Sequence, residues 1–352
     1  MTLYALGSNG NGQLGLAHKD DVALPQECIF AASPSGRPLR VVAGGNFSVV
    51  LFESGQIFLA GRIFSEESEH GLSSKNALDR FTPLHLPNSQ KVKLCAASWE
   101  ALHVVTGADE IFACGRGSQG ELGLGHETTL SRDLVPLGCF LPDGVKVVDI
   151  VSGIYHTLVL LDNGELFGWG NGRKGQVGLP HAIVWKPRRL EGIGFCVSGI
   201  ACGKDFSVLV GRGAKSKLAV IGSDKWLVRS DAPTAIPNWN QLDATWGGVT
   251  VLLEDGRSKS WGRSDRGQLG PAEDTDVVSI AAGSEHLVLI KKSGIICHGW
   301  GEHGNCGPVV DAEGNARAVP APLKLPDAVS KTDIEGVGAG CATTFFWTST
   351  GG

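Results

Sequence analysis

Residues Gly7-Ser-Asn-Gly-Asn-Gly-Gln-Leu-Gly15 return as Gly115-Arg-Gly-Ser-Gln-Gly-Glu-Leu-Gly123, as Gly170-Asn-Gly-Arg-Lys-Gly-Gln-Val-Gly178 and as Gly262-Arg-Ser-Asp-Arg-Gly-Gln-Leu-Gly270. A truncated copy stands at Gly301-Glu-His-Gly-Asn-Cys-Gly307. Self-similarity at a spacing of roughly 50 residues marks an architecture in which a small unit buries its faces only against copies of itself.

A second segment keeps step with the first: a small residue and Gly, two variable residues, then a strand opening on His, Phe or Thr. Its copies are Ala43-Gly-Gly-Asn-Phe-Ser-Val-Val-Leu51, Ser152-Gly-Ile-Tyr-His-Thr-Leu-Val-Leu160, Cys202-Gly-Lys-Asp-Phe-Ser-Val-Leu-Val210, Ala282-Gly-Ser-Glu-His-Leu-Val-Leu-Ile290 and Ala339-Gly-Cys-Ala-Thr-Thr-Phe-Phe-Trp347. Weaker copies around Ala97-Ser-Trp-Glu100 and Thr245-Trp-Gly-Gly248 bring the number of units to seven. Between the two segments lie polar, Gly-containing turns such as Leu161-Asp-Asn-Gly164, followed by short strands ending in Trp-Gly, as in Leu166-Phe-Gly-Trp-Gly170. Each unit therefore reads as a small antiparallel sheet.

A four-stranded blade cannot cover both faces alone, whereas seven packed radially can. The strands should then be apolar on both sides, and Phe206-Ser-Val-Leu-Val210 and Leu287-Val-Leu-Ile290 are. The last unit stops after Phe345-Phe-Trp347 without a Trp-Gly strand, and the chain begins with one unaccompanied, Leu3-Tyr-Ala-Leu-Gly7. Pairing the two leaves no free sheet edge. The expected fold is all-β: one seven-bladed β-propeller domain over residues 1–352, closed by pairing of the N-terminal strand with the C-terminal blade.

Fifty glycines in 352 residues are about twice the usual share of roughly 7%, and the excess falls in the repeat turns. The net charge of −5, with no long charged run, argues against nucleic acid or an anionic membrane as the main partner. Met1-Thr-Leu-Tyr-Ala-Leu-Gly7 lacks the plan of a secretory signal, and no apolar run reaches the ~18 residues of a spanning helix. The expected location is the cytoplasm, with the nucleus as a second site. Nine scattered cysteines without a Cys-x-x-Cys pair point away from a disulfide framework.

The pairing of a His-Ser strand with a Trp-Gly, Gly-Gln-Leu-Gly loop resembles the regulator of chromosome condensation repeat family across essentially the whole chain. The stretches beginning Gly61-Arg-Ile-Phe-Ser and Gly222-Ser-Asp-Lys-Trp226 depart from that pattern. Gly299-Trp-Gly-Glu-His-Gly-Asn-Cys-Gly-Pro308, with Gly340-Cys-Ala-Thr-Thr344, Gly203-Lys-Asp-Phe206 and Gly283-Ser-Glu-His286, looks like the fungal alpha-tubulin suppressor or killer-toxin-insensitivity branch. That resemblance implies a partnership with a small CSL-type zinc-binding electron carrier. It also implies roles in diphthamide synthesis on elongation factor 2 and in Elongator-dependent tRNA wobble uridine modification.

Chemical motifs are weak by comparison. Gly115-x-Gly-x-x-Gly120 and Gly170-x-Gly-x-x-Gly175 match a dinucleotide fingerprint but lie between β-strands, without the βαβ unit that motif needs. Cys297, His298, His303 and Cys306 have the residue types of a zinc site, yet Cys297 and His298 are adjacent on a strand and should point to opposite faces. No nucleophile elbow, metalloprotease helix or phosphate loop is present. His156 and His286 open strands of the repeat and read as structural hydrogen-bonding groups. No metal, cofactor or turnover is expected.

Connections in an antiparallel meander alternate between two rims, so the turn before each His-Ser strand and the loop after each Trp-Gly strand should open on one face. From the turns that face takes Asn46, Trp99, Glu100, Tyr155, Lys204, Asp205, Trp246, Glu285 and Ala342. From the loops it takes Glu302, His303 and Asn305, beside Arg116, Asn171, Arg173 and Asp265. Aromatic side chains among mixed charges suit protein recognition, and the alternative is that Trp99 and Trp246 fold back as plugs between blades. Lys291-Lys-Ser-Gly294 and Ala214-Lys-Ser-Lys217 mark the opposite rim. Three functions stay open: an adaptor for the CSL-type protein, a nucleotide-exchange factor for a small GTPase as in the founding member of the repeat family, and a hydrolase or lyase using the central channel.

Overall fold

The computed structural model describes residues 1–63, 78–213, 215–271, 273–317 and 321–349. Seven antiparallel sheets stand around a common axis. Their innermost strands, which define blades 1 to 7, are Pro38–Ala43, Val92–Ala97, Val147–Ser152, Val197–Cys202, Trp239–Ala244, Val277–Ala282 and Ile334–Ala339. Blade 3 shows the plan: Val147–Ser152, His156–Leu161, Leu166–Asn171 and Ile183–Arg189 follow one another from the axis outward.

The ring closes as the sequence predicts. Thr2–Gly7 pairs antiparallel with Thr343–Thr348, in register from Thr2 opposite Thr348 to Gly7 opposite Thr343. Val22–Glu27 then adds the outer strand, so half of blade 7 comes from each end of the chain. Leu3, Ala5, Leu6, Phe345 and Phe346 are buried at this seam.

The second strand of each blade is packed on both sides. Phe47–Phe52, Ala101–Thr106, His156–Leu161, Phe206–Gly211, Gly248–Leu253 and Thr343–Thr348 are buried at every position. Their apolar residues run continuously because each blade is covered by a neighbour on either side. The glycine at or next to the end of each third strand has a steric reason. Gly170 has φ of 101°, and a Cβ there would stand 2.2 Å from the Tyr155 carbonyl oxygen, a conformation and an approach open only to glycine.

The Gly-Gln-Leu-Gly loop is held by its own glutamine. Oε1 of Gln13, Gln176 and Gln268 accepts the backbone N–H two residues back, from Asn11, Lys174 and Arg266, at 2.9, 3.0 and 2.8 Å. Glu121 does the same for Gln119 at 2.6 Å.

Blade 4 corrects the expectation of four strands throughout. Among the described residues it has three, Val197–Cys202, Phe206–Gly211 and Leu218–Gly222, and beyond them an isolated bridge joins Lys217 to Ala235. Pro233 and Pro237 stand where an outer strand would form, and proline has no N–H to give a ladder. The other departure from the repeat, after Gly61, runs into residues 64–77, which lie outside the described residues.

Candidate functional site

His156 pairs with Gly170 across the second and third strands of blade 3, so the turn before the one and the loop after the other emerge side by side. The same holds around the ring. Asn11 Nδ2 donates to Asn46 Oδ1 at 3.1 Å, and Arg263 pairs with Glu285. Backbone bonds tie successive turns together: Gly45 N–H to the Trp99 carbonyl at 2.8 Å, Trp99 N–H to Ile154 at 3.1 Å, Lys204 N–H to Trp246 at 3.1 Å and Trp246 N–H to Ser284 at 2.8 Å. The face is thus a hydrogen-bonded collar around the axis rather than a set of separate loops.

At the centre of the collar Trp99 of blade 2 meets Trp246 of blade 5, ring centroids 5.9 Å apart and planes inclined at 52°. Those blades are not neighbours, so the pair reaches across the mouth of the channel. The Trp99 ring also lies against Gly45 in the turn of blade 1, and both rings are half-buried. Lys204 Nζ lies 5.8 Å from the centre of the Trp246 ring. Below the pair the inner strands enclose a cavity of about 300 Å³. Inside it Arg40 donates to Asp149 Oδ1 at 3.0 Å. Burial pushes the Asp243 carboxyl up to about 6, against hydrogen bonds from the Ala282 and Ala244 amides and the Arg40 charge, which pull it down.

The remaining candidates divide by environment. Lys204 and Glu302 are exposed, and Asn46, Glu100, Tyr155, Asp205, Glu285 and His303 are half-buried. Glu285 is held by Arg263 and by Arg266 Nε at 3.4 Å, and His303 Nδ1 lies 2.7 Å from Asp21 Oδ2. Asn305 is corrected: it is fully buried, its Nδ2 donates to the Trp300 carbonyl at 2.8 Å, and its own carbonyl accepts from Thr344. It occupies the glutamine position of the repeat loop and braces that loop from within. On the opposite rim Lys291 pairs with Asp274 at 2.5 Å, so Lys217, which is exposed, is the cleaner reference position there; Ala214 lies outside the described residues.

Sequence reasoning missed a second aromatic group on the same face. Where blade 4 lacks the Gly-Gln-Leu-Gly loop, residues 224–230 form a compact projection with Trp226 and Leu227 42% and 54% exposed at its tip. Arg263 and Lys225 lie over the Trp226 ring, at 4.9 and 5.1 Å from its centre. Farther round the collar Arg266 lies 5.3 Å from the Trp300 ring, and Trp300 Nε1 donates to Glu302 at 3.1 Å. The only sequence signal was the lapse of the repeat after Gly222.

Among the described residues no three His, Cys, Asp or Glu side chains come together to hold a metal. Cys297, His298 and Cys306 are buried. The strand histidines are buried between blades: burial lowers His103 and His286 to about 4 and His156 to about 3. His156 and His286 reach hydroxyls of the following blade, Ser207 and Thr344, each at 2.9 Å. They are structural groups, as their place in the repeat implies.

The regulator of chromosome condensation (RCC1) repeat matches residues 2–51, 108–160 and 163–210, and a second form of it matches residues 147–176. An RCC1 repeat-containing protein of Schizosaccharomyces pombe is 31% identical over 323 residues, 86% of this chain and 88% of its own length. The secretion-regulating guanine nucleotide exchange factor of Mus musculus is 28% identical over 398 residues, 96% of this chain and 82% of that protein. The crystal structure of human WBSCR16 superposes over 99% of both chains with a TM-score of 0.80 at 18% identity, a likeness of fold.

Proposed function

This chain belongs to the regulator of chromosome condensation repeat family, and on that premise we propose that it is a non-catalytic adaptor whose collar face binds a small CSL-type zinc protein. In this reading the pair works in the cytoplasm and supports diphthamide synthesis on elongation factor 2 and Elongator-dependent modification of tRNA wobble uridines. The observation that carries the binding role is the Trp99–Trp246 pair, half-buried at the centre of a collar of mixed charge. Large aromatic side chains fixed in place supply most of the energy of a protein interface, while surrounding charges set orientation and rate. The identity of the partner rests on the resemblance of residues 299–308 to the fungal branch.

A second reading is exchange factor for a small GTPase, favoured by the 28% identity to the mouse exchange factor. Two assays on the purified protein separate the two. Calorimetric titration with the CSL-type zinc protein should give one-to-one binding, and release of labelled GDP from small GTPases should not be accelerated. Accelerated release without CSL binding would replace the first reading by the second.

A further inference from the structure

We propose that the axial cavity beneath the Trp99–Trp246 pair binds a small alkylammonium ion, held between the two indole rings and the Asp243 carboxylate. The inference goes beyond the adaptor reading and does not depend on which protein covers the collar.

Strand register sets the order of groups along the axis. Asp243 pairs with Thr250, the third residue of its second strand, whereas Arg40 and Asp149 pair with Leu51 and Leu160, the fifth of theirs. Two residues of a strand span about 6.6 Å, so Asp243 stands that much nearer the collar, between the tryptophans and the Arg40–Asp149 bond. Trp99, Trp246 and all three charged residues belong to the cavity wall. Leu39, 49% exposed at the start of the blade 1 strand, lines the same cavity, so an approach from the opposite rim leaves the tryptophan pair in place.

The charge of the wall is unbalanced. Among the described residues lining it, Arg40, Asp149 and Asp243 are the ionised side chains. The Cys202 and Cys341 thiols, also in the wall, are raised by burial and stay neutral. Arg40 is bonded to Asp149, and the two act on Asp243 in opposite senses, which leaves the Asp243 carboxylate without a counter-ion of its own. The mouth does not supply one. Its turns carry Lys204 against Glu100, Asp205 and Glu285, and Glu285 is held by Arg266 and by Arg263, which also pairs with Asp265.

Hydrogen-bonding capacity points the same way. On the free edges of the innermost strands the Ile150 amide is bonded to Asp149 Oδ1 and the Ile280 amide to Gln241 Oε1, each at 2.9 Å, and the Ala244 and Ala282 amides to the two oxygens of Asp243, each at 2.8 Å. A residue that turns its N–H out of the ladder turns its C=O the same way, so at these positions carbonyl oxygens face the axis beside a carboxylate that keeps unused lone pairs. The Ser98 hydroxyl, in the wall next to Trp99, is buried and has no hydrogen-bond partner among the described residues. The indole faces then select the kind of cation, since an ammonium ion shielded by alkyl groups is drawn to an aromatic face. A volume of about 300 Å³ suits a small ligand.

The test titrates the full chain with tetramethylammonium chloride, followed by calorimetry and tryptophan fluorescence, with tert-butanol, uncharged and of like shape, as the control. Wild type should bind one ion with a dissociation constant on the order of 1 mM, the scale for a ligand of few atoms, and should not bind tert-butanol at that concentration. Asp243→Asn should weaken binding at least about tenfold with its melting curve preserved. Trp246→Leu, which keeps an apolar cap and removes the π face, should weaken it about threefold. Wild type supplies a check that needs no variant: the Asp243 carboxyl, near 6, takes up a proton between pH 7.5 and pH 5.5, so affinity should fall about fourfold over that range. Absence of binding, equal binding of tert-butanol, or an affinity that neither Asp243→Asn nor the change of pH reduces would overturn the proposal. Displacement by potassium chloride at equal concentration would also overturn it, in favour of a hydrated inorganic cation.

Discussion

His156 Nε2 of blade 3 lies 2.9 Å from the hydroxyl of Ser207 in blade 4, and that hydroxyl donates to the Gln176 carbonyl at 2.8 Å. A hydroxyl has one proton to give, so the histidine must donate from Nε2. One side chain thereby joins the strand of its own blade, the strand of the next and the Gly-Gln-Leu-Gly loop between them. Thr344 repeats the arrangement between His286 and the Asn305 carbonyl.

Removing this connection should destabilise the ring without altering its surface. His156→Ala leaves a cavity and takes from the Ser207 hydroxyl oxygen the N–H it accepts, while its bond to the Gln176 carbonyl stays, and should cost about 3 kcal/mol. Ser207→Ala strands the buried Nε2–H and should cost about 1–3 kcal/mol. Urea denaturation checks both, with a lower midpoint and an unchanged slope as the expected result.

Acid should unfold the protein earlier than its carboxylates alone would require. His103, His156 and His286 titrate near 3–4 when folded and near 6.5 when unfolded. Between those values the unfolded chain binds the protons, so stability is lost as pH falls from about 6.5, by about 2 kcal/mol per histidine at pH 5. Asp243, raised to about 6, acts oppositely, because its folded form takes a proton first and gains stability as pH falls from about 6 toward 4. These three and His298, also lowered to about 4 by burial, outweigh it, for a net loss of about 6 kcal/mol at pH 5. Chemical denaturation at pH 7 and pH 5 measures the difference, and equal stabilities would contradict the burial of these rings.

Much of this was legible in the chain because it repeats. The unaccompanied strand Leu3-Tyr-Ala-Leu-Gly7 announced closure, and the step between the two repeated segments put both loop sets on one face. Asn305 lies inside its loop rather than on the face, and its alignment with Gln13, Gln176 and Gln268, all buried, is the signal that carries this. The Trp99–Trp246 contact and the Arg40–Asp149 bond join blades far apart in sequence, and only ring geometry brings them together. Trp226 owes its display to positive φ in a stretch that no longer obeys the repeat, and a lapsed repeat says where the rule fails without saying what replaces it.

Deleting residues 1–7 should remove the third strand of blade 7, uncover Thr343–Thr348 and Val22–Glu27, and produce aggregation or a large drop in melting temperature. A truncated protein that melts with the full chain would contradict closure at this seam.

Purified protein should hold well under one zinc or iron per chain, as read by elemental analysis. Stoichiometric metal that disappears in Cys306→Ala would show that Cys297, His303 and Cys306 do converge on an ion.

The collar is tested most directly by titrating wild type, Trp246→Ala and Lys217→Glu with the CSL-type zinc protein in a calorimeter. The account predicts one-to-one binding by wild type, a loss of about 2 kcal/mol or more for Trp246→Ala with its melting curve preserved, and no change for Lys217→Glu on the opposite rim. Undiminished binding by Trp246→Ala, or a loss confined to Lys217→Glu, would contradict it.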